Sequence, residues 1–217
     1  MSSEKKPPGG YDSTPLHPAK APTYTIKITF HRAYNVPVSD YGGRSADPYI
    51  LAQINASAPT RHPEDPRVRF RTKTIRKSLE PEWNASWVVA GVPESGMTLE
   101  ARLFDEDSDD HDDQLGKIEV ETGRLDEKWE GIKEEDIKVR KTGANVRAYT
   151  LRCCSTMVHP KRQLHARLVI SIEMVGRTME EMGKVYTMNN FWYIHYSPMI
   201  GRLAGTKARE GSTEKAE

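Results

Sequence analysis

LEARLFDEDSDDHDDQLGKIEV (residues 99–120) reads as strand, acidic loop, strand. On its left flank Leu99, Ala101 and Leu103 alternate with Glu100 and Arg102. On its right flank Ile118 and Val120 alternate with Lys117 and Glu119. A period of two marks half-buried strands that share a core. Between the flanks, residues 103–116 hold six aspartates and one glutamate, in a chain whose formal net charge is only +1. So much like charge in one short connection is either a solvated acidic run or a cation site.

Working outward, the same period recurs. In YTIKITFHRA (24–33), Tyr24, Ile26, Ile28 and Phe30 alternate with polar residues. PYILAQI (48–54) is a second strand. RVRFRTKTIRK (67–77) places Arg67, Arg69, Arg71 and Lys73 on one face and Val68, Phe70 and Thr72 on the other. SWVVAGV (86–92), TLEARLFD (98–105), LGKIEVE (115–121), RAYTLRCC (147–154) and ARLVISIEMV (166–175) complete the series. Eight short strands separated by polar loops specify an all-β, eight-stranded antiparallel β-sandwich. The charged connector around 126–146, with EKWEGIKEEDIKV, reads as partly helical. Met179, Met182 and Tyr186 have helical spacing, so a short C-terminal extension, helical and then aromatic (NNFWYIHY), is expected over 177–205. Residues 1–22, rich in Pro, Gly, Ser and Lys, and 206–217 read as disordered arms around a domain at 23–176.

Composition excludes several classes. Lys+Arg 32 against Asp+Glu 31 leaves electrostatic function to local charge segregation. No run approaches the roughly 18 apolar residues of a membrane span, and the N-terminus lacks a signal-peptide core. The only cysteines, Cys153 and Cys154, are adjacent and make no disulfide framework. A cytoplasmic protein is therefore expected, and the sequons at Asn55 and Asn84 read as chance matches. No Gly-x-Ser-x-Gly elbow, P-loop or Cys/His pair is present, and nothing around Ser197 suggests a nucleophile. The expectation is no enzyme. Nucleic acid is disfavoured, because the basic strand lacks a stacking platform.

Two acidic groups carry the chemistry: Asp40 and Asp47 around YGGRSA, and Asp105, Asp107 and Asp113 in the later loop. The strand order sends both loops out at one end of the sandwich. Calcium suits such carboxylates, taking about six to eight oxygen ligands in a tolerant geometry. The absence of nearby Cys or His pairs argues against zinc, and His111 reads as solvent-exposed. An EF-hand starting at Asp105 fails, since Asp110 stands where glycine is needed and Gly116 where a bidentate glutamate is needed.

NVPVSDYGGRSADPYI, RTKTIRKSLEPEWNASWVV and LEARLFDEDSDDHDDQLGKIEV, in that order, resemble the C2 domain of calcium-dependent phospholipid-binding proteins, the middle motif being closest to conventional protein kinase C. The resemblance covers about residues 23–176. It implies Ca2+ ligands at Asp40, Asp47, Asp105, Asp107 and Asp113. Asp40 and Asp47 lie one residue further apart than in the commonest pattern. It implies lipid contacts at Arg71, Lys73 and Tyr49, and Arg69, on the same strand face with Arg67, is expected to join them. Tyr41, at the loop tip, is the aromatic expected at the interface. The strand order resembles the permuted, type II topology. The implied function is a calcium-dependent peripheral membrane module for anionic phospholipid, phosphatidylserine or phosphoinositides. Its rivals are a calcium-independent phosphoinositide- or protein-binding scaffold, with 177–205 as the protein contact, and the regulatory subunit of a lipase-like enzyme. Trp83 and Trp87 read as packing, and Tyr49 has packing as its plainer role.

Overall fold

Apolar residues at alternate positions bury one face of each strand, and two such faces close on each other. The computed structural model describes residues 21–39, 45–56, 67–107, 112–140, 165–178 and 185–188. Nine strands lie within them: β1 (Thr23–Tyr34), β2 (Pro48–Ala56), β3 (Arg69–Arg71), β4 (Glu82–Pro93), β5 (Met97–Asp105), β6 (Asp113–Glu121), β7 (Ile132–Lys138), β8 (Arg167–Arg177) and β9 (Tyr186–Thr187). They form a five-stranded sheet, β7-β8-β1-β4-β9, and a four-stranded sheet, β3-β2-β5-β6. All named pairings are antiparallel. The chain is the all-β sandwich expected.

Ile26, Ile28 and Phe30 of β1, Trp87 and Val89 of β4, and Ile170 and Ile172 of β8 are buried from the larger sheet. Ile50, Ala52, Phe70, Leu99, Leu103 and Ile118 meet them from the smaller one. An aromatic ladder crosses the gap. The Phe70 ring stacks on Phe30 at 5.8 Å and on Trp87 at 5.5 Å between centroids. Trp87 is fully buried, and its indole N–H donates to Thr187 Oγ1 at 3.1 Å, tying β9 to the sheet. Trp83 is buried too, and its N–H donates to the Lys73 carbonyl at 3.0 Å. Both tryptophans are packing residues, as their sequence suggests.

Two expectations are corrected. The connector is not helical where it is described: Ile132–Lys138 is β7, an edge strand on β8. Ile132 and Ile137 are five apart, an odd interval that should put them on opposite faces. The register shifts between Ile132 and Glu135, and Glu134 has φ 42°. The inserted residue of this bulge returns both isoleucines to the core side. The charged residues between them leave the edge poorly suited to pairing with another chain. Gly131 has φ +77°, and a Cβ there would lie 2.6 Å from the Ile172 carbonyl, so only glycine lets β7 approach β8 at this point. The second correction concerns Tyr186, which pairs with Ala90 in β9 instead of continuing a helix. Expected strand 147–154, Met179, Met182 and the aromatic cluster lie outside the described residues.

β7 is also pinned by charge. Asp136 accepts a bond from Arg167 Nε at 2.8 Å and another from the Tyr34 hydroxyl. Burial pushes the Asp136 carboxyl up, but the bonds from Arg167 and Tyr34 outweigh it and hold it below the usual carboxylate range. A carboxylate with a depressed folded pKa stabilises the fold above its unfolded pKa, and that stability is lost as pH falls through the folded value. Asp136→Asn is therefore expected to lower the melting temperature near neutral pH. The difference from wild type should shrink below about pH 4. A Tm difference that stays constant across that range sinks the assignment.

Candidate cation and anion site

β1 delivers the chain to a loop that returns at Asp47, and β5 delivers it to the acidic loop at Asp105. Register places Pro48 opposite Asp105 and Asp105 opposite Asp113, so the two loops leave the smaller sheet side by side. They touch: the Asp47 N–H donates to the Asp105 carboxylate, and the Glu106 N–H donates to the Asp47 carbonyl at 3.0 Å. Asp105 is fully buried. The β3–β4 connection is a third wall. Lys77, held at φ 54°, donates its N–H to Asp47 Oδ1 at 2.7 Å. Arg76 Nη1 donates to Asp47 Oδ2 at 2.7 Å. Burial pushes the Asp47 carboxyl up, but the Arg76 and Lys77 bonds win and hold it below the usual range.

Asp107 follows β5 and Asp113 opens β6. The Asp107 N–H bonds Asp112 Oδ1 at 3.3 Å, a long bond. Asp40, Tyr41, Asp109, Asp110 and His111 lie outside the described residues. Among the described residues no three His, Cys, Asp or Glu side chains converge as a ready metal-ligand group. The two residues joined here through the Asp47 N–H, Asp47 and Asp105, carry side chains that offer only oxygen. That chemistry fits a hard cation such as calcium and does not fit a soft metal.

The basic strand stands next to this corner. Arg67, Arg69, Arg71 and Lys73 are exposed while Phe70 and Thr72 are buried. The strand is shorter than the alternation suggests, ending at Arg71, although Thr72 and Ile75 still bond β2 through the Ile50 and Pro48 carbonyls. Arg71 lies over the Tyr49 ring, its Cζ 3.9 Å from the centroid. Tyr49 is itself stacked on Phe104 at 5.4 Å, and its hydroxyl donates to Asp112 Oδ2 at 2.6 Å. Burial and the Asp112 bond push the Tyr49 pKa far up, so the phenol stays protonated. Tyr49 thus combines packing with a link between strand and acidic loop.

Several residues near this corner were not singled out from sequence. Arg76 has the opposite parity to Arg71, so strict alternation would put it on the wrong face. The strand has ended by then, and the turn brings Arg76 back to Asp47. Glu106 lies between two aspartates, and only the structure shows that it takes Arg71 at 2.5 Å and Arg76 at 2.6 Å. Register also sets Arg71, Leu51, Arg102 and Lys117 in one row across the smaller sheet, with Arg140 bridging Lys117 at its end. Glu100 and Glu119 pair with Arg102 and Lys117 and partly neutralise that row.

A two-sheet antiparallel sandwich with acidic loops at one end and a basic strand beside them defines a class of small β-sandwich binding modules. The chain belongs to the C2 domain family, whose model matches residues 24–136, just over half of it. It is 31% identical over 114 residues to tricalbin-1 of Saccharomyces cerevisiae, covering 52% of this chain and 9% of that protein. It is 27% identical over 96 residues to protein C2-DOMAIN ABA-RELATED 4 of Arabidopsis thaliana, covering 44% and 46% respectively. The chain therefore spans less than half the length of these relatives. A single C2 domain of plant extended synaptotagmin 1 superposes with a TM-score of 0.49 at 16% identity, over 71% of this chain and 96% of that one. The calcium-bound tandem C2 domains of extended synaptotagmin 2 give 0.49 at 22%, over 73% and 47%. Among the described residues no helix is long and apolar enough to cross a membrane.

Proposed function

We propose that this chain is a non-catalytic module that binds anionic phospholipid membranes from the cytoplasmic side, with calcium as its trigger. Membership of the C2 family supports the binding role. The observation that carries the calcium reading is the direct Asp47–Asp105 contact between two acidic loops, beside exposed Arg69, Arg71 and Lys73. Asp40, Asp107 and Asp113 complete the proposed ligand set. When bound, calcium supplies positive charge at the loop tips and open coordination positions for headgroup oxygens. The carboxylates otherwise repel an anionic leaflet. The arginines and lysine attract phosphate, each contributing about 1 kcal/mol near such a surface. Tyr41 is assigned to the interface, and the part of 177–205 that does not pair in the sheet to a protein contact. The sheet order, with β1 between β8 and β4 and β2 in the other sheet, supports the type II topology.

A calcium-independent phosphoinositide reading has one observation in its favour: Asp47 is already neutralised by Arg76 and the Lys77 N–H. Co-sedimentation with phosphatidylserine vesicles and with phosphoinositide vesicles, each in calcium and in chelator, separates the two. Binding confined to calcium is the expected result. Equal binding in chelator moves the function to the basic strand, and no binding to any vesicle overturns the membrane reading.

A further inference from the structure

Glu106 stands between Asp105 and Asp107, yet its side chain turns away from them toward the basic strand. Its Oε1 lies 2.5 Å from Arg71 Nη2 and its Oε2 lies 2.6 Å from Arg76 Nη2. One carboxylate thus bridges two guanidinium groups that come from different segments. The second fork of Arg76 holds Asp47, and Arg71 is steadied on the Tyr49 ring. Two guanidinium forks converging on a pair of oxygens is the arrangement that grips phosphate. Here the oxygens belong to the chain itself. Arg76 remains 60% exposed, so an outside anion can reach it.

We infer that Glu106 is a built-in anion that competes with phosphate for Arg71 and Arg76 and keeps this anion site closed until a cation arrives. The inference rests on the membrane-binding reading above and adds its regulation. A cation taken up by Asp47 and Asp105 repels the Arg76 guanidinium and competes with it for Asp47 Oδ2. The same positive charge attracts Glu106, whose backbone N–H is already anchored to the Asp47 carbonyl. Arg71 and Arg76 are then free together, and phosphate replaces the carboxylate between them. Cation and anion sites are thereby coupled through one side chain. The anion is a phosphate group, whether on a lipid or free in solution.

The test uses the full chain with Glu106→Gln and, as a control, Glu94→Gln. Glu94 carries the same charge and also pairs an exposed arginine, Arg124, but precedes the far end of β5. In chelator, Glu106→Gln is expected to bind phosphatidylcholine vesicles containing phosphatidylinositol bisphosphate about fivefold more tightly than wild type. Its calcium-to-chelator binding ratio falls accordingly, while Glu94→Gln leaves that ratio unchanged. Equal shifts in the two variants reduce the effect to net charge and overturn the proposal. Calorimetric titration with pyrophosphate in chelator is the second arm. If wild type binds no vesicle under any condition but Glu106→Gln gains pyrophosphate binding, the membrane reading fails and the gate stands for a soluble phosphate. If Glu106→Gln gains nothing in either arm, the gate is wrong.

Discussion

Asp105→Asn is expected to raise the calcium concentration for half-maximal binding to phosphatidylserine vesicles by about 100-fold, the upper end of what losing support for a metal costs. The expectation follows from position. Asp105 is fully buried at the end of β5, where its carboxylate accepts the Asp47 N–H and sits opposite Asp113 across the β5–β6 pair. It is a side-chain link between the two acidic loops. An amide keeps the oxygen that receives the Asp47 N–H but removes the negative charge. The fold without metal should therefore survive, because neutralising one of two adjacent carboxylates relieves repulsion. Thermal melting in chelator checks this. An unchanged or higher Tm with lost calcium response identifies a ligand. A collapsed Tm identifies a structural acid and removes Asp105 from the proposed set. In chelator the variant should bind phosphoinositide vesicles no differently from wild type, since Arg69, Arg71 and Lys73 are untouched.

The second large effect is on stability. Trp87→Ala should destabilise the sandwich by about 4 kcal/mol, lowering Tm by roughly 10 °C for a domain of this size. Trp87 has no exposed surface and stacks on Phe70, which in turn stacks on Phe30 from the same sheet as Trp87. Its removal leaves a cavity at the centre of the sheet interface that neighbouring rings cannot fill without leaving their rotamers. It also removes one side-chain bond to β9, leaving Thr187 Oγ1 its bond to the Val88 carbonyl. Trp87→Phe separates the two contributions. Phenylalanine keeps most of the packing and loses the bond, which contributes about 1 kcal/mol. Equal losses in the two variants would show that the indole bond, and not the packing, dominates.

Both effects trace to residues whose burial the alternating pattern makes visible. In β5 the sequence alternates from Met97 to Leu103, and its buried positions are the odd-numbered ones through to Asp105. β1 and β2 read nearly as well. β7 was illegible for a physical reason. It lies on an edge, exposes charge, and its bulge shifts parity between Ile132 and Ile137. Two-residue β9 is too short to carry any period.

Sequence alone determined that this is a β-sandwich, because period-two burial is a local property of each strand. It also determined that acid is concentrated after β5 and base in the β3 segment. Tertiary structure decided what those charges do to each other. Arg76 reaches Asp47 only because the chain turns at Lys77, and Glu106 bridges Arg71 and Arg76 only because β2 separates β3 from β5 by a single strand. Contacts between charges 30 or 35 residues apart depend on register and turn geometry, which no local pattern records.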